Sequence, residues 1–83
     1  MKFALIDDHQ MVREGFRALI EEEDPDWQVS FEASSYNECL QNLGDIDIDC
    51  CVIDISLPDR NGLEVAELIG EKLPNARRII LSM

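Results

Sequence analysis

Two rhythms of apolar positions alternate along this chain. Short apolar runs read as strands: Lys2 to Asp7, Trp27 to Ala33, Cys50 to Ile55 and Arg77 to Met83. Between them apolar residues recur three and four apart with charges in the gaps, as on one face of a helix. The first stripe is Met11, Val12, Phe16, Leu19 and Ile20. It runs out in Glu21-Glu22-Glu23-Asp24-Pro25, where the proline cannot continue a helix. The second carries Cys39, Leu40 and Leu43. Ser35-Tyr36-Asn37-Glu38 predicts a capping box at its start, with Ser35 as cap and Glu38 reaching back, and Gly44 predicts its close. The third is Leu63, Val65, Ala66, Leu68, Ile69 and Leu73, stopped by Pro74. A turn-rich loop, Ser56 to Gly62, leads into it.

The order β-α-β-α-β-α-β predicts a parallel α/β sheet. Cys50 to Ile55 is an unbroken apolar run, as expected of a parallel strand covered on both faces. There is no repeat, linker or low-complexity tract, and 83 residues make one domain, 1–83.

Composition narrows the partners. Hydrophobic content of 46% fits a folded core and argues against disorder. Eighteen acids against seven bases leave a net charge of −11, which phosphate backbones and anionic lipid repel. No direct nucleic-acid binding by this segment is expected. No apolar run approaches the roughly 20 residues of a membrane helix, and Met1 to Ile6 is too short for an export signal, so a cytoplasmic location is expected. The three cysteines are an odd number. Cys50 and Cys51 are adjacent, so on a strand they point to opposite faces. They form neither a redox CxxC nor a metal knuckle, and read as buried reduced thiols.

Asp54 ends the third apolar run, and Asp7 and Asp8 end the first. In an open parallel sheet, function sits beyond the carboxyl ends of the strands. If strands one, three and four are neighbours, Asp7, Asp8, Asp54 and Ser82 rim one crevice. Carboxylates gathered in one pocket repel each other, and a divalent cation is the usual reason to gather them. The bland alternative is a set of separate, solvated strand-end acids. Two rival motifs fail. Asp45-Ile46-Asp47-Ile48-Asp49 has the opening spacing of an EF-hand, but Cys50 stands where glycine belongs and Ser56 where glutamate belongs. The Asp-x-Asp of haloacid-dehalogenase-type phosphatases fails at Ser56, two residues past Asp54.

These residues resemble a receiver domain of a two-component response regulator. Leu5-Ile6-Asp7-Asp8-His9-Gln10-Met11-Val12-Arg13-Glu14-Gly15-Phe16-Arg17 is similar to the opening of the NarL/FixJ (LuxR-type) branch. Val52 to Asp59, with Asn61-Gly62, resembles its phosphoacceptor strand and loop. Ile79 to Met83 resembles its fourth strand. The resemblance covers essentially the whole chain and implies a flavodoxin-like (CheY-like) fold. By position it makes Asp54 the phosphoacceptor. Asp8, Asp54 and the backbone carbonyl of Ser56 would ligate Mg²⁺ directly, and Asp7 through a water. Ser82 would hydrogen-bond the phosphoryl group and report its arrival, and Pro58 and Gly62 would shape the loop. The implied phosphodonor is a sensor histidine kinase or a small phosphodonor, and the implied parent continues into a helix-turn-helix DNA-binding domain.

One departure stands out. A receiver has five βα units, and this chain stops at the fourth strand, before the fourth helix, fifth strand and fifth helix. The family's fifth-strand lysine and aromatic switch residue are therefore missing. Lys2 and Lys72 are the only lysines, and neither matches. The expectation is a truncated receiver in which Mg²⁺ binding survives while stable phosphorylation and switching are impaired. Strand four would be an open edge bearing Ile79, Ile80 and Leu81, inviting homo-oligomerisation. A pseudo-receiver that only dimerises and a small Mg²⁺-dependent phosphohydrolase are the alternatives. The second lacks a general acid.

Overall fold

Backbone pairing joins four parallel strands in the order β2-β1-β3-β4 in a computed structural model that describes residues 1–82. The elements are β1 (Lys2–Ile6), α1 (Gln10–Glu23), β2 (Gln28–Ala33), α2 (Tyr36–Asn42), β3 (Cys50–Asp54), α3 (Gly62–Lys72) and β4 (Arg77–Leu81). The alternating order is as predicted. β2 begins one residue later than expected and β3 ends one residue earlier. β4 ends at Leu81, so Ser82, expected in the strand, lies just past it, and Met83 lies outside the described residues.

The strand order makes β1 and β4 the two neighbours of β3. Ile6 pairs with Ile53 and Asp54 with Leu81, so Asp7, Asp54 and Ser82 leave the sheet at one level. Between β1 and β2 the register slips by one residue: Phe3 faces Val29, but Ala4 faces Phe31. The slip sends Val29 and Phe31, two apart in sequence, to opposite faces of the sheet.

The larger apolar cluster lies under α2 and α3 and includes Ile6, Leu43, Ile53, Val65 and Ile69. The smaller lies under α1, where Phe3, Leu5, Val29 and Cys50 meet Phe16, Ile20 and Trp27. The Phe3 and Trp27 rings are 5.4 Å apart. Cys50 belongs to the smaller cluster and Cys51 to the larger, as their adjacency on a strand requires. All three cysteines are buried and free. The α1 stripe is narrower than its periodicity suggests. No α1 residue is fully buried, and Met11 and Leu19 are 85% and 65% exposed. One helix alone lies on this face, so only the residues directly against the sheet touch it. Ile79 is exposed at the β4 edge, whereas Ile80 and Leu81, expected to be open too, are half-buried.

The capping box forms by half. Ser35 Oγ accepts from Glu38 N–H at 3.1 Å, but the Glu38 carboxylate accepts from Ser34 Oγ at 2.6 Å. Asn61 caps α3 by accepting from Leu63 N–H at 2.7 Å. Gly44 closes the turn after α2 with φ +46°, a left-handed value that favours glycine. Among the described residues no helix is long and apolar enough to cross a membrane.

Candidate functional site

Asp7 leaves β1 with its N–H still tied to Ala33 of β2 at 3.0 Å, and it is buried. The chain then turns. His9 N–H donates to Asp7 Oδ1 at 2.8 Å, and His9 Nδ1 lies 3.1 Å from both Asp7 Oδ1 and Asp8 Oδ1. Asp8 is more open. Asp54 ends β3, half-buried, with Oδ1 accepting from Ser56 N–H at 3.0 Å. One ligand atom from each of Asp7, Asp8, His9 and Asp54 falls within 4.8 Å of the others. Among the described residues this is the one such grouping of acids, cysteines and histidines.

The carboxylates of this cluster have one ion-pairing partner among the described residues, His9. Its pKa is raised, first by the hydrogen bond to Asp7 and next by the Asp8 charge, so the site favours the imidazolium. The donor set suits a hard divalent cation. It is mostly carboxylate oxygen, it has charge to neutralise, and its acids are not consumed by arginine or lysine. The acids open onto a cleft of about 270 Å³ lined by Val12, Phe16, Leu81 and Ser82 besides Asp7, His9 and Asp54.

The loop after β3 is fastened at several points. Ile55 N–H donates to Leu81 O at 3.0 Å and Gly62 N–H to Ile55 O at 2.9 Å, while Ser56 and Asn61 form an isolated antiparallel bridge. A Cβ on Gly62 would sit 2.3 Å from Asp54 O and 2.7 Å from Ile55 Cα, so α3 starts hard against the backbone of the acidic strand end. Asp59 at the loop tip accepts from Tyr36 N–H and Asn37 N–H, both at 2.9 Å, and Arg60 lies 4.6 Å over the Tyr36 ring.

Asp7, Asp8, Asp54 and Ser82 therefore meet at one end of the sheet, and Ser56 lies in the loop beside them. The two lysines are elsewhere. Lys2 begins β1 and pairs with Asp47 at 3.6 Å, and Lys72 ends α3 and lines a groove with Asp47 and Pro74. The EF-hand-like acids stay at that far end, where Asp49 accepts from Lys2 N–H at 2.7 Å.

Three residues went unread in the sequence. His9 is signalled only by its place after the acid pair. Arg13 donates from Nη1 to the Asp7 carbonyl at 2.6 Å and from Nε to Glu32 at 3.2 Å. Asp59 clamps the loop to α2. The last two act between elements far apart in the chain, and no spacing announces them.

Residues 3–83 match the response regulator receiver domain. The chain is 48% identical over 80 residues to the transcriptional regulatory protein UhpA of Salmonella typhimurium, covering 96% of this chain and 39% of that protein. It is 35% identical over 79 residues to the nitrate/nitrite response regulator protein NarL of Escherichia coli, covering 95% and 36%. Among solved structures, RcsB of Salmonella enterica serovar Typhimurium, bound to a promoter in the presence of the phosphomimetic BeF3−, superposes with a TM-score of 0.84. Identity is 27%, covering 100% of this chain and 42% of that one. The response regulator domain of Thermotoga maritima CheB gives 0.82 at 26% identity, covering 96% and 58%. The chain thus spans well under half the length of the curated relatives UhpA and NarL.

Proposed function

This chain belongs to the response regulator receiver domain family, and from that premise we propose that it accepts a phosphoryl group on Asp54 with the help of Mg²⁺. One observation carries the reading: Asp7, Asp8 and Asp54 converge within 4.8 Å at the carboxyl ends of adjacent strands. Asp8, Asp54 and the Ser56 carbonyl would hold the cation directly, and Asp7 would hold it through a water. When bound, the cation neutralises the acids and orients phosphoryl oxygens for transfer. Asp54 attacks phosphorus with a carboxylate oxygen. The bond to the donor's imidazole nitrogen breaks, its electron pair stays on that ring, and an aspartyl phosphate forms. Ser82, on the cleft rim, donates its hydroxyl to a phosphoryl oxygen.

The donor is a sensor histidine kinase or a small phosphodonor. The chain is a phosphoacceptor, not a multiple-turnover enzyme. Lys2 and Lys72 both lie away from the cleft, so neither contacts the aspartyl phosphate. The relative UhpA, named a transcriptional regulatory protein, supports a parent protein that passes the signal to transcription. Three acids retained in one pocket favour this reading over a module that only dimerises.

The test is labelling by acetyl phosphate, or formation of the BeF3− adduct, with and without Mg²⁺. The expected result is Mg²⁺-dependent modification that D54N abolishes. Modification of D54N at the wild-type level would refute the assignment.

A further inference from the structure

We propose that Arg13 is a positioning residue for the acidic pocket: anchored on Glu32, its guanidinium holds the Asp7 carbonyl and so sets the turn that presents Asp7 and Asp8. The role in cation binding rests on the Mg²⁺ reading above; the geometric role stands without it.

β1 ends at Ile6, so Asp7 has left the ladder. Its N–H keeps a sheet partner, Ala33 O, but its carbonyl has none. A carbonyl on a buried residue is costly to leave unpaired. Among the described residues its hydrogen-bond donor is Arg13 Nη1 at 2.6 Å. The same side chain, 17% exposed, reaches Glu32 of β2 through Nε at 3.2 Å. The other Glu32 oxygen pairs with Arg17, whose guanidinium also meets Glu21 at 3.5 Å. A planar guanidinium with N–H groups at fixed angles thereby joins α1, β2 and the turn after β1. A lysine ammonium, a point charge on a flexible stem, cannot hold both partners in that geometry.

Arg13 also lines a small cavity with Asp7 and Asp54, yet it bonds no carboxylate of the pocket. It brings positive charge close while leaving the acidic oxygens free for a cation. Through the Asp7 carbonyl it fixes the peptide unit that joins the two adjacent acids, and with it the His9 N–H that closes on Asp7 Oδ1.

Two readouts test this on the full chain: Mg²⁺ affinity by calorimetry, and amide exchange by NMR in the metal-free protein. R13A and E32A are expected to lower Mg²⁺ affinity, R13A by about tenfold, the scale for residues that orient metal ligands. R13K should not restore it. In the metal-free protein R13A and R13K should speed exchange of the Asp8 and His9 amides while Ile53 stays protected. Wild-type affinity and exchange in R13A or R13K would overturn the proposal, as would loss of protection spread evenly over β1 and β3. If the wild type binds no Mg²⁺, the metal reading falls, and the exchange pattern still decides the role of Arg13.

Discussion

Asp59 shows how far a single exposed carboxylate can act. It accepts two α2 N–H groups, and these bonds, that of Asn37 foremost, lower its pKa from 3.8. A depressed folded pKa means stability fully present above the unfolded value and lost as pH falls through the folded one. Thermal melts of wild type and D59N should therefore differ at neutral pH and converge in strong acid; a gap that persists unchanged in acid would count against the clamp. The cysteines behave oppositely. Burial pushes Cys39 up to about 11 and Cys51 up to about 12, so neither offers a thiolate at neutral pH. A thiol reagent should leave both untouched in the native chain and label them once denaturant is added. The burial of these thiols was legible from a strand that carries Cys50 and Cys51 side by side. The roles of His9, Arg13 and Asp59 were not, because each depends on what the fold places beside it.

Elements differ in how firmly they are held. α3 buries Val65, Leu68 and Ile69 and starts at Gly62 against Asp54. Gly62→Ala would drive a methyl into the backbone of Asp54 and Ile55, which cannot rotate away. Urea denaturation should show a loss of roughly 1–3 kcal/mol, the usual cost of overpacking. An unchanged midpoint would mean that α3 can back away freely. α1 is the contrast, with no fully buried residue. Its amides should exchange well before those of β1 and β3, since local opening follows sparse burial. Equal protection would show that α1 opens only with the whole domain. The stripes predicted where each helix lies, but not how much of each stripe is covered. Leu19 keeps helical spacing and stays 65% exposed, because coverage depends on what else occupies that face of the sheet.

At the scale of the whole molecule, two forces oppose each other. Among the described residues β4 has a neighbour on one side only and Ile79 is 48% exposed, a feature that we propose invites pairing with a second copy. The net charge of −11 pushes copies apart, over a range that salt shortens to about 8 Å at physiological ionic strength. Self-association through β4 should therefore appear in sedimentation velocity as salt is raised, and Ile79→Glu should prevent it. A monomer at every salt concentration would remove that proposal. The sequence by itself determined the kind and order of the elements and the acids that end the apolar strands, because short-range periodicity and turn residues encode those locally. Only the tertiary structure decided the strand order that brings Asp7, Asp8 and Asp54 together. It alone decided the slipped register of β2, the half-formed capping box and the bridges from Arg13 to Glu32 and from Asp59 to Tyr36, which join residues 19 and 23 apart. Contacts at such separations depend on how whole strands and helices dock, and docking leaves no period in the chain.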